Sequence, residues 1–264
     1  MGSLSDIGAN QVADRSRMAD KIFKDLKNSI VLGEIAQGSK LPSEKELALR
    51  YGVSGPTVRE AVRGLSLLGL IDVRHGSGTY VTADSTELVA LSLGTVIQMG
   101  RPEIQHVLGI LGVLNQYAAR QAAENALEDE LQAIDTSLAA MDAASTIEDA
   151  AAGVREFHQS IAIASHNPLL SALCKFLVEI QIEFARELAG GSMDVWRHIL
   201  QTLHPSRIAL VKAIRSGSGD KAAKSAQKFH GEAIDIILSL PRTRELQNTD
   251  PRFDGVLSAM MSRI

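Results

Sequence analysis

The stretch that decides the fold is LPSEKELALRYGVSGPTVREAVRGLSLLGLIDVRHGSGTYV, residues 41–81. Pro42 forces an extended entry, Ser43 can cap a helix, and Glu46 three residues later completes a capping box that opens EKELALRY; Gly52 stops it. After that turn Ser54 can cap a longer helix, GPTVREAVRGLSLLG, with Val58, Val62, Leu65 and Leu68 as its buried stripe and Gly69 as its end. Thr57, Arg59 and Arg63 are left for its other faces. Upstream, residues 16–32 place Met18, Ile22, Leu26, Ile30 and Val31 at helical spacing, which predicts an amphipathic helix ending near Gly33. Downstream, Ile71 and Val73 alternate before a Gly pair and Tyr80 and Val81 follow it, which reads as strand, four-residue turn and strand.

Two short helices across a tight Gly turn are the helix-turn-helix arrangement, whose second helix lays its N-terminal part in the major groove of DNA; the hairpin is then a wing. The bland alternative is a helical hairpin on a small sheet with its Arg residues merely solvated. That alternative leaves unexplained why two capped helices, exposed Arg and Thr at the start of the second, and a Gly-rich hairpin with His75 and Gly76 at its tip occur in this order.

The totals agree. A chain of 264 residues has room for one large or two ordinary domains. Few aromatics and abundant Ala and Leu in the second two thirds favour a mainly α protein. Residues 1–82 carry 11 Lys/Arg against 9 Asp/Glu, the remainder 16 against 22, so a faintly basic head precedes an acidic body. The single Cys174 excludes an internal disulfide and a Cys-based zinc cage. No apolar run approaches the roughly 20 residues a membrane span needs, and the polar opening lacks the core of a signal peptide, so a cytoplasmic protein is expected.

Beyond a polar crossing near residue 83 the pattern is helical throughout. Segments near 86–99, 102–125, 127–143, 146–164, 168–188, 193–215 and 219–239 are separated by short Gly, Pro, Asn or Ser punctuation, giving an all-α bundle of six to seven helices. The expected domains are 15–82 and 86–240, followed by a tail, 241–264. His158, His204 and His230 fall on three different helices and could meet around a divalent, zinc-like ion, although a histidine satisfied by a structural hydrogen bond is the simpler reading of each. There is no Gly-rich phosphate loop, G-x-S-x-G or H-E-x-x-H, and Cys174 lies in an apolar helix, so no catalytic constellation is evident.

The 41–81 stretch resembles the winged helix-turn-helix of the GntR family of bacterial transcription regulators, where L-P-S-E-x-x-L-A, G-V-S-x-x-T/P-V-R-E-A and a Gly-rich wing recur. The resemblance implies double-stranded operator DNA as partner, with Lys45, Ser54, Thr57 and Arg59 facing it and His75 and Gly76 reaching the minor groove. Many members carry Arg after the Ser of G-V-S; here that position is Gly55, which removes a potential guanine contact worth about 1–3 kcal/mol and leaves Arg59 and Arg63 to compensate in part.

The body resembles, more loosely, the helical effector domain of the FadR subgroup, known as FCD. That resemblance implies a homodimer and, in most members, a divalent metal beside a small carboxylate effector. His158 matches the first metal-binding His, Asn167 a conserved-type Asn of the motif, and His230 the last His. Val154 stands where the metal-binding Asp should be, Arg207 aligns with the middle His, with His204 one turn before it, and Leu111 and Asn115 replace an Arg/Glu pair. A cation in a ligand's place repels a metal and needs an anion. The reading is therefore a metal-free site without cofactor, in which Arg207 or Arg186 anchors an apolar carboxylic acid or acyl thioester among Asn115, His158, His204 and His230. Residues 172–185 then line an apolar cavity, or else are ordinary core or dimer contact. The alternative is a metal-dependent sensor of a small organic acid through His158, His204 and His230.

Overall fold

The computed structural model describes residues 4–74, 76–82, 85–100 and 102–240, and the chain divides into two units, Met1–Leu88 and Val89–Ile264. His75 at the wing tip and the 241–264 tail lie outside the described residues.

The first unit runs α1 (Leu4–Val31), α2 (Glu44–Tyr51), α3 (Gly55–Leu67), β1 (Ile71–Arg74) and β2 (Gly78–Val81). Ile22, Leu26 and Ile30 of α1 close over Leu47 of α2, Val58 and Leu65 of α3, and Ile71 and Val81 of the hairpin, making one small core. The capping box forms as read: Ser43 N–H donates to Glu46 Oε2 at 2.7 Å and Glu46 N–H to Ser43 Oγ at 3.3 Å. Gly52 ends α2 at φ 64, where a side chain would be strained. The antiparallel register pairs Ile71 with Val81 and Arg74 with Gly78, leaving three residues in the turn where four were expected. The segment leading into α2 runs along β2, with Leu41 N–H bonded to Thr79 O at 2.8 Å and Val81 N–H to Ser39 O at 2.9 Å, so the wing is tied to the helix it flanks.

Two details differ from the sequence reading. The first helix begins at Leu4 rather than 16, upstream of the point where apolar periodicity starts. Leu68 falls just past the end of α3 and is exposed rather than part of its buried stripe.

The second unit holds seven helices among the described residues: α4 (Ser85–Gly100), α5 (Ile104–Asn125), α6 (Glu128–Asp142), α7 (Ile147–Ala164), α8 (Pro168–Ala189), α9 (Met193–Arg215) and α10 (Gly219–Ser239). Of these, α5 packs on α7, α8, α9 and α10 and is the hub of the bundle. Its inner stripe, Leu108, Leu111, Gly112, Asn115, Ala118, Ala119 and Ala122, is small or apolar, which lets helices approach closely. Leu111, Phe157, Ile180 and Ile214 are almost wholly buried in one continuous core. The helix starts are fixed locally. Thr146 and Asp149 cap α7 reciprocally, and Asn167 Oδ1 accepts from Leu170 N–H at 3.1 Å at the start of α8. Asn167, which the resemblance associates with the metal motif, thus works here as a helix cap. No helix among the described residues is long and apolar enough to cross a membrane.

Candidate functional site

In the first unit the residues expected to face DNA cluster around the N-terminal half of α3. Arg59 and Arg63 are exposed on it, with Lys45 exposed on α2, Ser54 exposed at the N-cap and Gly76 exposed in the wing turn. Arg59 Nε lies 3.7 Å from the Glu44 carboxylate; both are largely solvated, so the pair is weak and a phosphate or base edge can displace it. Thr57 corrects the reading of an exposed face. Only 3% accessible, it shares a 2.9 Å hydrogen bond with Ser54 Oγ, which occupies the hydroxyl expected to cap α3. Thr57 therefore holds the turn in shape, and the outward groups are Arg59 and Arg63. At Gly55 a Cβ would meet nothing within 4 Å, so the missing family arginine leaves open space rather than a filled one.

The wing adds two cations that the motif reading passed over. The Arg74 guanidinium lies 4.7 Å from the centre of the Tyr80 ring and Lys40 Nζ 5.8 Å from it, while Tyr80 Oη is 2.9 Å from Ser77 Oγ. Lys40 precedes the motif and Arg74 sits in a strand, and nothing in their local pattern announced that the hairpin register would bring them to one ring.

In the second unit four of the six expected effector residues are drawn into the interior from four helices: Asn115 on α5, His158 on α7, Arg207 on α9 and His230 on α10, none more than 8% accessible. Phe229 is the shared neighbour of His158 and Arg207. The His158 ring stacks on it at 5.8 Å with an interplanar angle of 28°, and the Arg207 guanidinium lies 5.7 Å from its centre. His230 Nε2 donates to Leu108 O at 2.7 Å, which assigns that proton and leaves Nδ1, buried, without a partner. Gly112 makes the fit possible, because a Cβ there would sit 2.4 Å from His230 Cδ2. Asn115 Nδ2, one turn along α5, is likewise buried and unpaired.

Arg207 is the unusual member. It is 3% accessible, and its hydrogen bond runs back along its own helix, from Nη1 to Leu200 O at 3.0 Å. Pro205 lies within the same helix and removes the donor for the neighbouring Gln201 carbonyl. No carboxylate among the described residues comes within ion-pair distance of Arg207; burial pushes its pKa down to about 10, with Asp142 opposing at longer range. Burial first, then the charges of His230 and Arg207, drive His158 down to about 3, and burial also lowers His230, so both imidazoles are neutral at pH 7. The cluster carries one positive charge.

The other two expected residues stand apart. His204 is one-third exposed, with Nδ1 3.0 Å from Asp142 Oδ1 though not aligned for a hydrogen bond. Arg186 is already neutralised, 3.6 Å from Glu148 and 3.7 Å from Glu183. The α8 residues expected around a cavity, Cys174, Phe176, Leu177 and Ile180 among them, belong to the continuous core. Two buried polar residues were missed: Gln181 and Trp196, whose Oε1 and Nε1 lack partners. The donor set does not fit a divalent metal. Val154 offers no oxygen, Arg207 is a cation, and among the described residues no three His, Cys, Asp or Glu side chains group to hold an ion.

Two family models match this chain, "Bacterial regulatory proteins, gntR family" over residues 18–81 and "FCD domain" over 107–229. The chain belongs to the GntR family of bacterial regulatory proteins and carries an FCD domain. It is 28% identical to the HTH-type transcriptional regulator LutR of Bacillus subtilis over 210 residues, covering 78% of this chain and 94% of that one. It is 27% identical to the HTH-type transcriptional repressor NanR of Enterobacter sp. over 221 residues, covering 81% and 82%. The fold is also that of a Streptococcus agalactiae GntR structure, with a TM-score of 0.61 at 22% identity, covering 84% of this chain and all of that one. This GntR-family chain is thus a DNA-binding transcription regulator rather than an enzyme.

Proposed function

We propose that this GntR-family regulator is a cytoplasmic, ligand-responsive repressor of the FadR subgroup, which binds a palindromic operator as a homodimer and answers to an apolar monocarboxylate. Residues 15–82 read the DNA and 86–240 sense the effector. Lys45, Ser54, Arg59, Arg63 and Gly76, with His75 and the wing cations Lys40 and Arg74, form the DNA-facing set, and Thr57 shapes it from beneath. Two heads related by a two-fold axis suit two half-sites about one helical turn apart.

The observation that carries the effector reading is Arg207, a buried cation with one backbone hydrogen bond and no carboxylate partner among the described residues. A buried charge of this kind is destabilising until an anion pairs with it. The one-charge balance argues for a single carboxylate or acyl thioester phosphate rather than a dicarboxylate. Asn115 Nδ2, buried and unpaired in the same helical unit, is a spare donor, and Phe229, under the Arg207 guanidinium, with Phe157 edge-on to it, suits an apolar remainder. The effector acts by preferring one of two states of the dimer, and its coupling to DNA is reciprocal.

The test is native mass spectrometry of protein purified without chelator, followed by operator binding with and without the recovered molecule. A metal-free dimer carrying an apolar acid that weakens operator binding is expected. One metal ion per subunit, or a panel of such acids that leaves operator affinity unchanged, would overturn the reading.

A further inference from the structure

The wing hairpin has an outer face that the core does not use. Ile71 and Val81, paired across β1 and β2, are buried in the small core, so the strand alternation turns Asp72, Arg74 and Tyr80 to the opposite side. Tyr80 stands opposite Asp72, and on its other flank Lys40, in the segment that leads into α2, bridges to it antiparallel. Lys40, Tyr80 and Asp72 therefore form one row across three stretches of chain, with Arg74 two residues on from Asp72. Opposite Arg74 the strand has Gly78, at φ 120. Lys40 uses that gap: a Cβ on Gly78 would collide with Lys40 Cε. Both cations thus lean on one ring, Arg74 at 4.7 Å and Lys40 at 5.8 Å from its centre, and the ring itself is anchored by the 2.9 Å hydrogen bond between Tyr80 Oη and Ser77 Oγ.

We infer that this outer face is a clamp for the sugar-phosphate backbone of DNA, in which Lys40 and Arg74 are the phosphate ligands and Tyr80 is the positioning residue that fixes both.

Three observations carry it. The first is charge. Two cations share one ring and one carboxylate, and Asp72 takes only Nε of Arg74, at 3.1 Å, so the face keeps an excess positive charge that an anion would relieve. The second is pre-organisation. A long cationic side chain loses rotamer freedom when it grips a ligand, and here the ring has taken much of that freedom beforehand. The third is placement. Lys40 stands three residues before Ser43, the cap of α2, and its segment is bonded to β2 through Leu41 and Thr79 and through Ser39 and Val81. The clamp is therefore held at a fixed offset from Lys45 on the next helix, as a second hold on the backbone beside a reading helix requires. Phosphate contacts position a protein and carry no sequence information, which separates this face from Arg59 and Arg63. That the anion is DNA rests on the operator reading above; that Tyr80 brings the two cations together does not.

The test uses generic DNA. The full-length protein is titrated by fluorescence anisotropy onto two short labelled duplexes of different base composition, at salt concentrations from about 50 to 200 mM. Lys40→Gln and Arg74→Gln should each flatten the slope of log affinity against log salt by about 0.9 for every wing on the duplex, equally on both sequences. Tyr80→Leu keeps both charges yet should flatten the slope as well, with an unchanged thermal melt, and Tyr80→Phe should restore it. In a Lys40→Gln, Arg74→Gln background Tyr80→Leu should add nothing, because the ring acts through those two cations. Unchanged slopes in the two Gln variants, a loss confined to one duplex, or a Tyr80→Leu effect that persists undiminished without the cations overturns the clamp. Arg59→Ala tells the two readings apart. If it weakens binding while the wing variants do not, α3 meets DNA and the clamp is wrong; a wild type that binds neither duplex at low salt removes the DNA reading and the clamp together.

Discussion

The N-terminal unit gathers Lys40, Lys45, Arg59, Arg63 and Arg74 from one unbroken run of chain, with Lys45, Arg59, Arg63 and Arg74 exposed, Arg59 loosely paired with Glu44 and Arg74 with Asp72 at 3.1 Å, both in solvent. The C-terminal unit brings Asn115, His158, Arg207 and His230 from four helices into an interior where water is excluded. The same residue type therefore means opposite things in the two places. Arg59 is a solvated charge waiting for a polyanion and costs the fold nothing. Arg207 is a desolvated charge that the fold tolerates at a cost, which makes it informative about the ligand. Substitutions at these two arginines should separate function from stability in opposite directions.

The largest effect is expected at Arg59. Arg59→Ala removes a base or phosphate contact from both half-sites, each worth about 1–3 kcal/mol, so operator affinity should fall by two to four orders of magnitude. Its exposure predicts an unchanged melting temperature, since surface substitutions typically stay within about 0.5 kcal/mol. Fluorescence anisotropy with a labelled operator and a thermal melt of the same sample measure both. A variant that keeps specific binding would dismiss α3 as the reading helix.

Arg207→Leu should show the reverse pattern. Replacing buried ionic groups by apolar ones of similar volume is often neutral or stabilising by about 1–4 kcal/mol, and here no buried carboxylate is orphaned, because Asp142 is half exposed and beside His204. The variant should melt at or above the wild-type temperature, bind operator normally and no longer respond to the effector. A loss of several kcal/mol would mean that Arg207 is a structural partner and that the anion-site reading is wrong.

How much of this was readable beforehand follows from the same contrast. The capping box, Gly52 and the two strands of the wing are local features, so residues a few positions apart dictated them; the ends of α3 and the length of the wing turn were read less well, since Ser54 spends its hydroxyl on Thr57 and Leu68 falls past the helix. The seven helix segments of the body were legible for the same reason: caps such as Thr146 and Asn167 are written beside the helices they start. What failed was what depends on packing. Thr57 is polar and lies at the start of α3, yet its spacing from Val58 and Ala61 turns it inward. His204 and Arg186 are chemically as suitable as His158 and Arg207, and only the rotation of α9 and α8 decides that they sit at the rim. Gly112 was passed over because a glycine inside a helix ordinarily signals nothing; its role appears only when the His230 ring is seen against it.

The smallest effect is also the one that isolates the interior site. His158 has a pKa of about 3 in the folded chain against 6.5 for the exposed side chain, because burial and its neighbours His230 and Arg207 disfavour its charged form. Below pH 6.5 the unfolded chain takes up a proton that the folded chain refuses, so stability falls as the pH drops from 6.5 toward 3, by about 1.4 kcal/mol per pH unit once well below 6.5. His230 is shifted the same way and adds to the slope. Among the described residues the N-terminal unit buries no histidine, so its stability should be flat over the same range, until carboxylates such as Glu46, held low by its bonds to Ser43, begin to titrate. Urea midpoints at pH 7.5, 6.5 and 5.5 should therefore decline for the transition of the second unit alone, and His158→Phe should flatten that decline while keeping the stack on Phe229. An equal decline in both units would trace the acid sensitivity to something other than these imidazoles. A second-unit midpoint indifferent to pH would mean that His158 reaches solvent and that the cluster is wetter than the packing of Phe157 and Phe229 around it implies.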